Sequence, residues 1–143
     1  MNNFVGWREW VTLPDLGIEK LKCKVDTGAK NSAIHAFKIE EFQKNNELWV
    51  RFALHLKQTD DTAVQYCEAK VVDQRAVTDS GGNITERYFI ETTIKLGQKT
   101  IQGSLSLTSR DTMKFKMLLG RTALRKFQFS VNSAHSYIQG KPS

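Results

Sequence analysis

Hydrophobic and polar residues alternate along most of this chain. In "LKCKV" the residues Leu21, Cys23 and Val25 fall on one face, with Lys22 and Lys24 on the other. "LWVRFALHL" repeats the pattern through Leu48, Val50, Phe52, Leu54 and Leu56. "YFIETTIKL" does so through Tyr88, Ile90, Thr92, Ile94 and Leu96, and "IQGSLSL" through Ile101, Gly103, Leu105 and Leu107. A period of two marks half-buried strands. Loop signals separate them: "KNN" at 44–46, "QTDD" at 58–61, "DSGGN" at 79–83 and "LGQK" at 96–99. One short piece is helical in character, "TALRKF" from Thr122 to Phe127. There is no linker, repeat or low-complexity stretch. Many short strands joined by tight turns predict one all-β domain over residues 1–143, a barrel or a sandwich.

Composition adds bounds. The 143 residues are 40% hydrophobic and 25% charged, as in ordinary globular proteins. Lys and Arg number 21 against 15 Asp and Glu, a formal charge of +6 that favours acidic partners. The basic residues are spread along the chain, and a solubilising surface is the commoner meaning of such a balance. Cys23 and Cys67 form no C-x-x-C pair; two free thiols in a reducing compartment is the blander reading, with a disulfide as the alternative. "MNNFVGWREW" has neither the basic start nor the apolar run of a signal peptide, and no segment reaches membrane-spanning length. A cytoplasmic, non-membrane protein is expected.

The candidate chemistry sits at Asp26, where "LKCKV" runs into Asp-Thr-Gly-Ala. Gly28 permits a sharp turn. Backbone N–H groups and the Thr27 hydroxyl can then hold the projecting carboxylate. Such an arrangement suits an aspartic peptidase, in which two carboxylates share a proton and activate a water. Taken alone the triplet is weak, since it also serves as an ordinary turn. Far downstream, "MLLGR" (Met117–Arg121) places an apolar triplet and a Gly just before the short helix.

Asp-Thr-Gly-Ala together with apolar-apolar-Gly-Arg resembles the retroviral-type aspartic peptidases. "GWREWVTLPDLGIEKLKCKVDTGAKNSAIHA", "RYFIETTIKLG", "LSLTSRDTMKFKMLLGR" and "FQFSVNSAHSYI" extend the likeness over nearly all of residues 4–138. They resemble a bacterial and archaeal family of small retropepsin-like proteins. That family is often labelled "ATP-dependent zinc protease" and is associated with a ligase that adds glutamates to a ribosomal protein. The resemblance implies a closed retropepsin-like β-barrel with one short helix near the C-terminus. It implies a peptidase that trims oligoglutamate tails, with Asp26, Thr27 and Gly28 as the catalytic loop. Two departures stand out: the family pattern has an acid near Ser130 and a Pro near Ala76, and this chain has neither.

The residues do not support the label's zinc or ATP, and no cofactor is expected. His35, His55 and His135 are isolated, without H-E-x-x-H spacing, and His35 and His55, on strands, read as surface or edge residues. "GQKT" (Gly97–Thr100) lacks the glycines of a phosphate loop and reads as a hairpin turn. A mixed-ligand metal site stays open. The second acidic triplet, Asp79–Gly81, leads into "GGNITER", a polar hairpin tip. The resemblance implies that the hairpin from about Lys70 to Ile94 acts as a flap over the site. With one "MLLGR" in the chain, the second catalytic carboxylate is expected from a second copy in a symmetric dimer. Ala29, Lys30 and Arg121 are candidate substrate-binding residues. Either Arg121 is structural, or Lys30 and Arg121 both serve an acidic peptide or glutamylated protein. Trp7, Trp10 and Trp49 are expected to pack the barrel. Two other readings stand beside the peptidase: a non-catalytic peptide-binding module on the same fold, and the metal-dependent protease of the label. Nucleic-acid binding ranks last, for want of a basic-aromatic recognition motif.

Overall fold

The alternating segments form the strands their periodicity predicts. The computed structural model describes residues 3–55, 63–78, 81–109 and 114–142. Eleven strands are seen among them: β1 (Phe4–Val5), β2 (Arg8–Leu13), β3 (Ile18–Val25), β4 (Ser32–His35), β5 (Phe37–Lys44), β6 (Glu47–His55), β7 (Val64–Thr78), β8 (Ile84–Leu96), β9 (Lys99–Thr108), β10 (Met117–Leu119) and β11 (Ser130–Val131). The helix α1 spans Arg121–Phe127, one residue more than the sequence pattern suggests. Leu56 and the "QTDD" loop lie outside the described residues.

Turn chemistry fixes the hairpins where it was legible. Asn45 and Asn46, at φ +54° and +65°, take the two left-handed positions between β5 and β6. Side-chain amides tolerate that region, and the resulting twist suits a hairpin. Gly97, at φ +62°, joins β8 to β9 with Gln98.

Nine strands form one sheet in the order β2-β3-β10-β4-β9-β8-β7-β6-β5, and β8 pairs with β2 as well. The extra pairing closes six strands, β2, β3, β10, β4, β9 and β8, into a barrel. The length of β8 makes this possible. Its first half, Ile84–Ile90, lies against β7, and its far end meets β2 through Lys95 and Thr12. Ile34, Ile90, Ile94, Leu105, Met117 and Leu119 are all at most 1% exposed and fill the interior. Complete burial of such side chains stabilises by about 1.5–3 kcal/mol each. Helix α1 seals one side with Ala123, Leu124 and Phe127. Its C-terminal carbonyls receive the Lys99 ammonium, with Nζ 2.7 Å from the Phe127 oxygen.

Among the described residues the barrel holds one inward acid that alternation did not flag. Glu9 occupies a core position of β2 and is 0% exposed. Its carboxylate accepts N–H bonds from Gly6 at 2.7 Å, Ile138 at 2.8 Å and Gln139 at 3.1 Å. It thereby ties the C-terminal segment to the first strands. Replacing Glu9 by Ala strands three backbone donors, each worth about 1 kcal/mol or more. A loss of about 3 kcal/mol is expected, read as a lower urea midpoint at unchanged slope.

The three tryptophans are half-buried and lie outside the barrel's core: Trp10 on β2, Trp7 just ahead of it, and Trp49 on β6, beyond the six barrel strands. Arg8 lies over Trp7 (4.5 Å), Lys22 and Lys141 over Trp10 (5.2 and 5.3 Å), and Lys44 over Trp49 (4.4 Å).

Candidate active site

Strands β3 and β10 run parallel, with Val25 beside Leu119, so both end at the same edge of the barrel. Asp26 and Gly120 are the next residues, and the Asp26 N–H donates to the Leu119 carbonyl at 2.9 Å. The chain then turns. The Ala29 N–H returns to the Asp26 carbonyl at 3.2 Å, and the Gly28 N–H donates to Asp26 Oδ1 at 3.0 Å. The carboxylate is thus aimed by its own loop. It is partly exposed, while Thr27, Gly28 and Lys30 are exposed and Ala29 is partly so.

The β10–α1 corner straps this loop from the other side. The Arg121 and Thr122 N–H groups, orphans of the first helical turn, donate to the Ala29 and Lys30 carbonyls at 2.8 and 3.2 Å. The Arg121 guanidinium donates through Nη1 to the Thr27 carbonyl at 3.0 Å. This contact supports the structural alternative for Arg121: it braces the Asp-Thr-Gly turn. Ala29 and Lys30 serve the strap through their carbonyls, which leaves the Lys30 side chain exposed. Gly120 is required by space rather than by backbone angle. A Cβ there would lie 2.6 Å from the Asn31 oxygen and 2.9 Å from the Ala29 oxygen.

One positioning residue escaped sequence reasoning. Ser32, buried in β4, accepts the Gly120 N–H on Oγ at 2.9 Å. A serine on a short strand carries no pattern that would single it out. The expectation for His35 also needs correcting. It is 0% exposed, not a surface or edge residue, because β4 lies inside the barrel wall between β10 and β9. Its ring stacks on that of His55, which is half-buried, at 5.3 Å.

Neither thiol is a candidate nucleophile. Burial, with the Glu9 carboxylate adding to it, pushes Cys23 up to about 12, and burial pushes Cys67 up to about 11. Both stay protonated, whereas a reactive cysteine is a thiolate. Among the described residues no three His, Cys, Asp or Glu side chains are grouped to hold a metal, so no zinc-binding set is assigned. No helix among them is long and apolar enough to cross a membrane. The expected hairpin is present as β7–β8, paired up to Thr78 and Ile84. Asp79 lies outside the described residues.

A closed barrel whose Asp-Thr-Gly loop is buttressed by an apolar strand ending in Gly is the retropepsin-like arrangement. Residues 4–142 match the RimB-like family model, described as the retropepsin-like aspartic endopeptidase RimB. The chain belongs to this family. It is 43% identical over 141 residues to a protein of Shewanella halifaxensis named a probable alpha-L-glutamate ligase, covering 98% of this chain and 31% of that one. A protein of the same name from Desulfotalea psychrophila is 43% identical over 120 residues, covering 84% of this chain and 26% of that one. The chain therefore spans about a quarter to a third of these relatives' length. A crystal structure of a Legionella pneumophila protein described as having unknown function shares the fold, with a TM-score of 0.82 and 29% identity. That match covers 97% of this chain and 99% of the other.

Proposed function

We propose that this chain is an aspartic-type peptidase that trims oligoglutamate tails, with Asp26 from two copies activating one water. The observation that carries this is the Asp26 carboxylate, held by the Gly28 N–H in a loop strapped by Arg121 and Thr122. One carboxylate of the pair, ionised, takes a proton from water as the water attacks the peptide carbonyl. The other, protonated, gives its proton to the carbonyl oxygen. Two like charges at close range resist joint ionisation, which favours one shared proton. One Asp-Thr-Gly loop per chain makes a two-fold pair the simplest source of both groups. The substrate reading draws on the relatives: a region like this chain forms part of proteins named glutamate ligases. A hydrolase that removes glutamates is the chemical counterpart of such a ligase.

The test is incubation of purified protein with a glutamate-tailed peptide and a neutral peptide of equal length, with product masses measured. Stepwise loss of glutamate from the first alone supports the reading. Binding of the acidic peptide without any mass change would favour a non-catalytic binding module on the same fold. Two further outcomes are expected. Asp79→Asn should leave most of the activity, because the second carboxylate comes from the partner copy and not from Asp79. Equal, complete loss in Asp79→Asn and Asp26→Asn would point to a pair within one chain. Specific activity should also fall on dilution as dimers dissociate. A monomer that keeps full activity across sedimentation and dilution series would end the shared-site model.

A further inference from the structure

Lys20, Lys22 and Lys24 recur at every second position of β3, and Asp26 follows at the same interval. Leu21, Cys23 and Val25 interleave with them and point into the core. From Lys22 to Asp26 alternate residues stand about 6.7 Å apart; at Glu19 and Lys20 the register against β2 shifts and both residues are exposed, so the row from Lys20 to Asp26 is about 20 Å long and starts beside an acid. Strand β2 widens it. Arg8 lies opposite Lys24, and Trp10 lies opposite Lys22. The Arg8 guanidinium rests between the Trp7 and Tyr137 rings at 4.5 and 5.0 Å, and its Nε has no hydrogen-bond partner among the described residues. At the Lys20 end the row opens into a hollow of about 610 Å³, which Lys95 and Lys141 also line and where Glu19 is the single carboxylate among the lining residues.

Some cations elsewhere on the protein have acid partners, while others among the described residues, such as Lys30, Lys38 and Lys44, have none. On β6 and β7, Arg51 pairs with Glu68, Lys70 with Glu47, and Arg75 with Asp73. Among the described residues, none of Arg8, Lys20, Lys22, Lys24, Lys95 and Lys141 is ion-paired. A row of unpaired like charges repels itself and raises the local potential for anions.

We infer that the outer face of β2 and β3 is a binding rail for an extended acidic polypeptide, running from the hollow at Lys20 to Asp26. An extended chain of glutamates repeats every two residues at the same spacing of about 6.7 Å, so alternate carboxylates match successive lysines. Nucleic acid fits less well. Binding of single strands uses open aromatic faces for stacking. Here Trp10 has ammonium groups beside its ring and Trp7 has the Arg8 guanidinium over it. The rail rests on the peptidase reading only for its direction toward Asp26.

The test starts with direct binding, independent of turnover. Asp26→Asn protein is titrated with fluorescein-labelled octaglutamate, with and without Lys20→Gln, Lys22→Gln and Lys24→Gln together. Thermal midpoints check that the variants fold, as these side chains lie off the core. The triple change should weaken binding about tenfold, and raised salt should shrink the difference. Removing three lysines at Lys38, Lys44 and Lys70 should weaken it less than about threefold. Equal loss from both sets would overturn the rail. So would tighter binding of an oligothymidylate of equal charge, lost in the same triple variant, which would assign the face to nucleic acid. Turnover then separates the two proposals. Octaglutamate bound on the rail but never cut by the unmodified protein would sink the peptidase reading and leave the rail. Cleavage in which the Lys20/Lys22/Lys24 variant keeps the full preference for an eight-glutamate over a two-glutamate tail would sink the rail and leave the peptidase.

Discussion

Asp26→Asn should yield a folded protein whose peptide hydrolysis is reduced at least about a thousandfold. The amide keeps the size of the carboxylate, and its oxygen can still accept the Gly28 N–H that Oδ1 receives at 3.0 Å. The turn therefore survives, while the group that takes a proton from water is gone. In a two-fold site each substitution removes both carboxylates at once, so no half-active species remains. Equal mixing of variant and unmodified chains provides a sharper check. If one ionisable carboxylate per pair is insufficient and chains exchange freely, about a quarter of the dimers stay active at equal totals, rather than half of the chains. Hydrolysis by the Asn variant at the unmodified rate would remove Asp26 from the chemistry.

Gly120→Ala should damage stability and activity together. The added Cβ would sit 2.6 Å from the Asn31 oxygen, 2.7 Å from the Asn31 carbonyl carbon and 2.9 Å from the Ala29 oxygen. All three are backbone atoms of the segment that follows Asp26, so no side chain can swing aside. Gly120 has φ −92°, an ordinary angle, and the penalty is therefore steric. Relief requires parting β10–α1 from the loop, with the Arg121 and Thr122 straps stretched or lost. A cost of about 3 kcal/mol is expected, or a thermal midpoint lower by roughly 10 °C. Gly28→Ala makes an informative contrast. Its Cβ would meet only Asp26 Oδ1, at 3.3 Å. That variant should keep most of its stability and lose activity, because the crowded atom belongs to the reacting group. Gly120→Ala protein with an unchanged midpoint would mean that the corner yields more easily than its contacts imply.

Much of this was legible from residue patterns. Strand β3 alternates cleanly from Leu21 because one face meets the core and the other meets water, whereas β6, β8 and β9 do so for only part of their length, since Ala53, Phe89 and Ser106 are buried on the opposite face. Helix α1 showed itself by its apolar spacing, and the loop at Asp26 by the strand that ends there. Other features depend on partners distant in sequence. Strand β10 is three residues long, and its place between β3 and β4 is set by pairing that no local pattern encodes. Glu9 breaks the rule that inward positions are apolar, because its partners, the N–H groups of Ile138 and Gln139, lie at the other end of the chain. His35 looked peripheral because an isolated histidine says nothing about how many strands flank it. The family resemblance supplied the barrel's closure and the pairing of "MLLGR" with Asp-Thr-Gly, which alternation alone left open between barrel and sandwich.

The Ser32–Gly120 hydrogen bond spans 88 positions of sequence. Contacts of that separation form late, since a long loop must close before they repay its entropy. During synthesis, β3 and the Asp26 turn leave the ribosome well before β10 and α1 exist to hold them. A chain that ends before Met117 has the carboxylate but no strap. The geometry at Asp26 is thus complete only once β10 and α1 have been made and have folded back onto the loop.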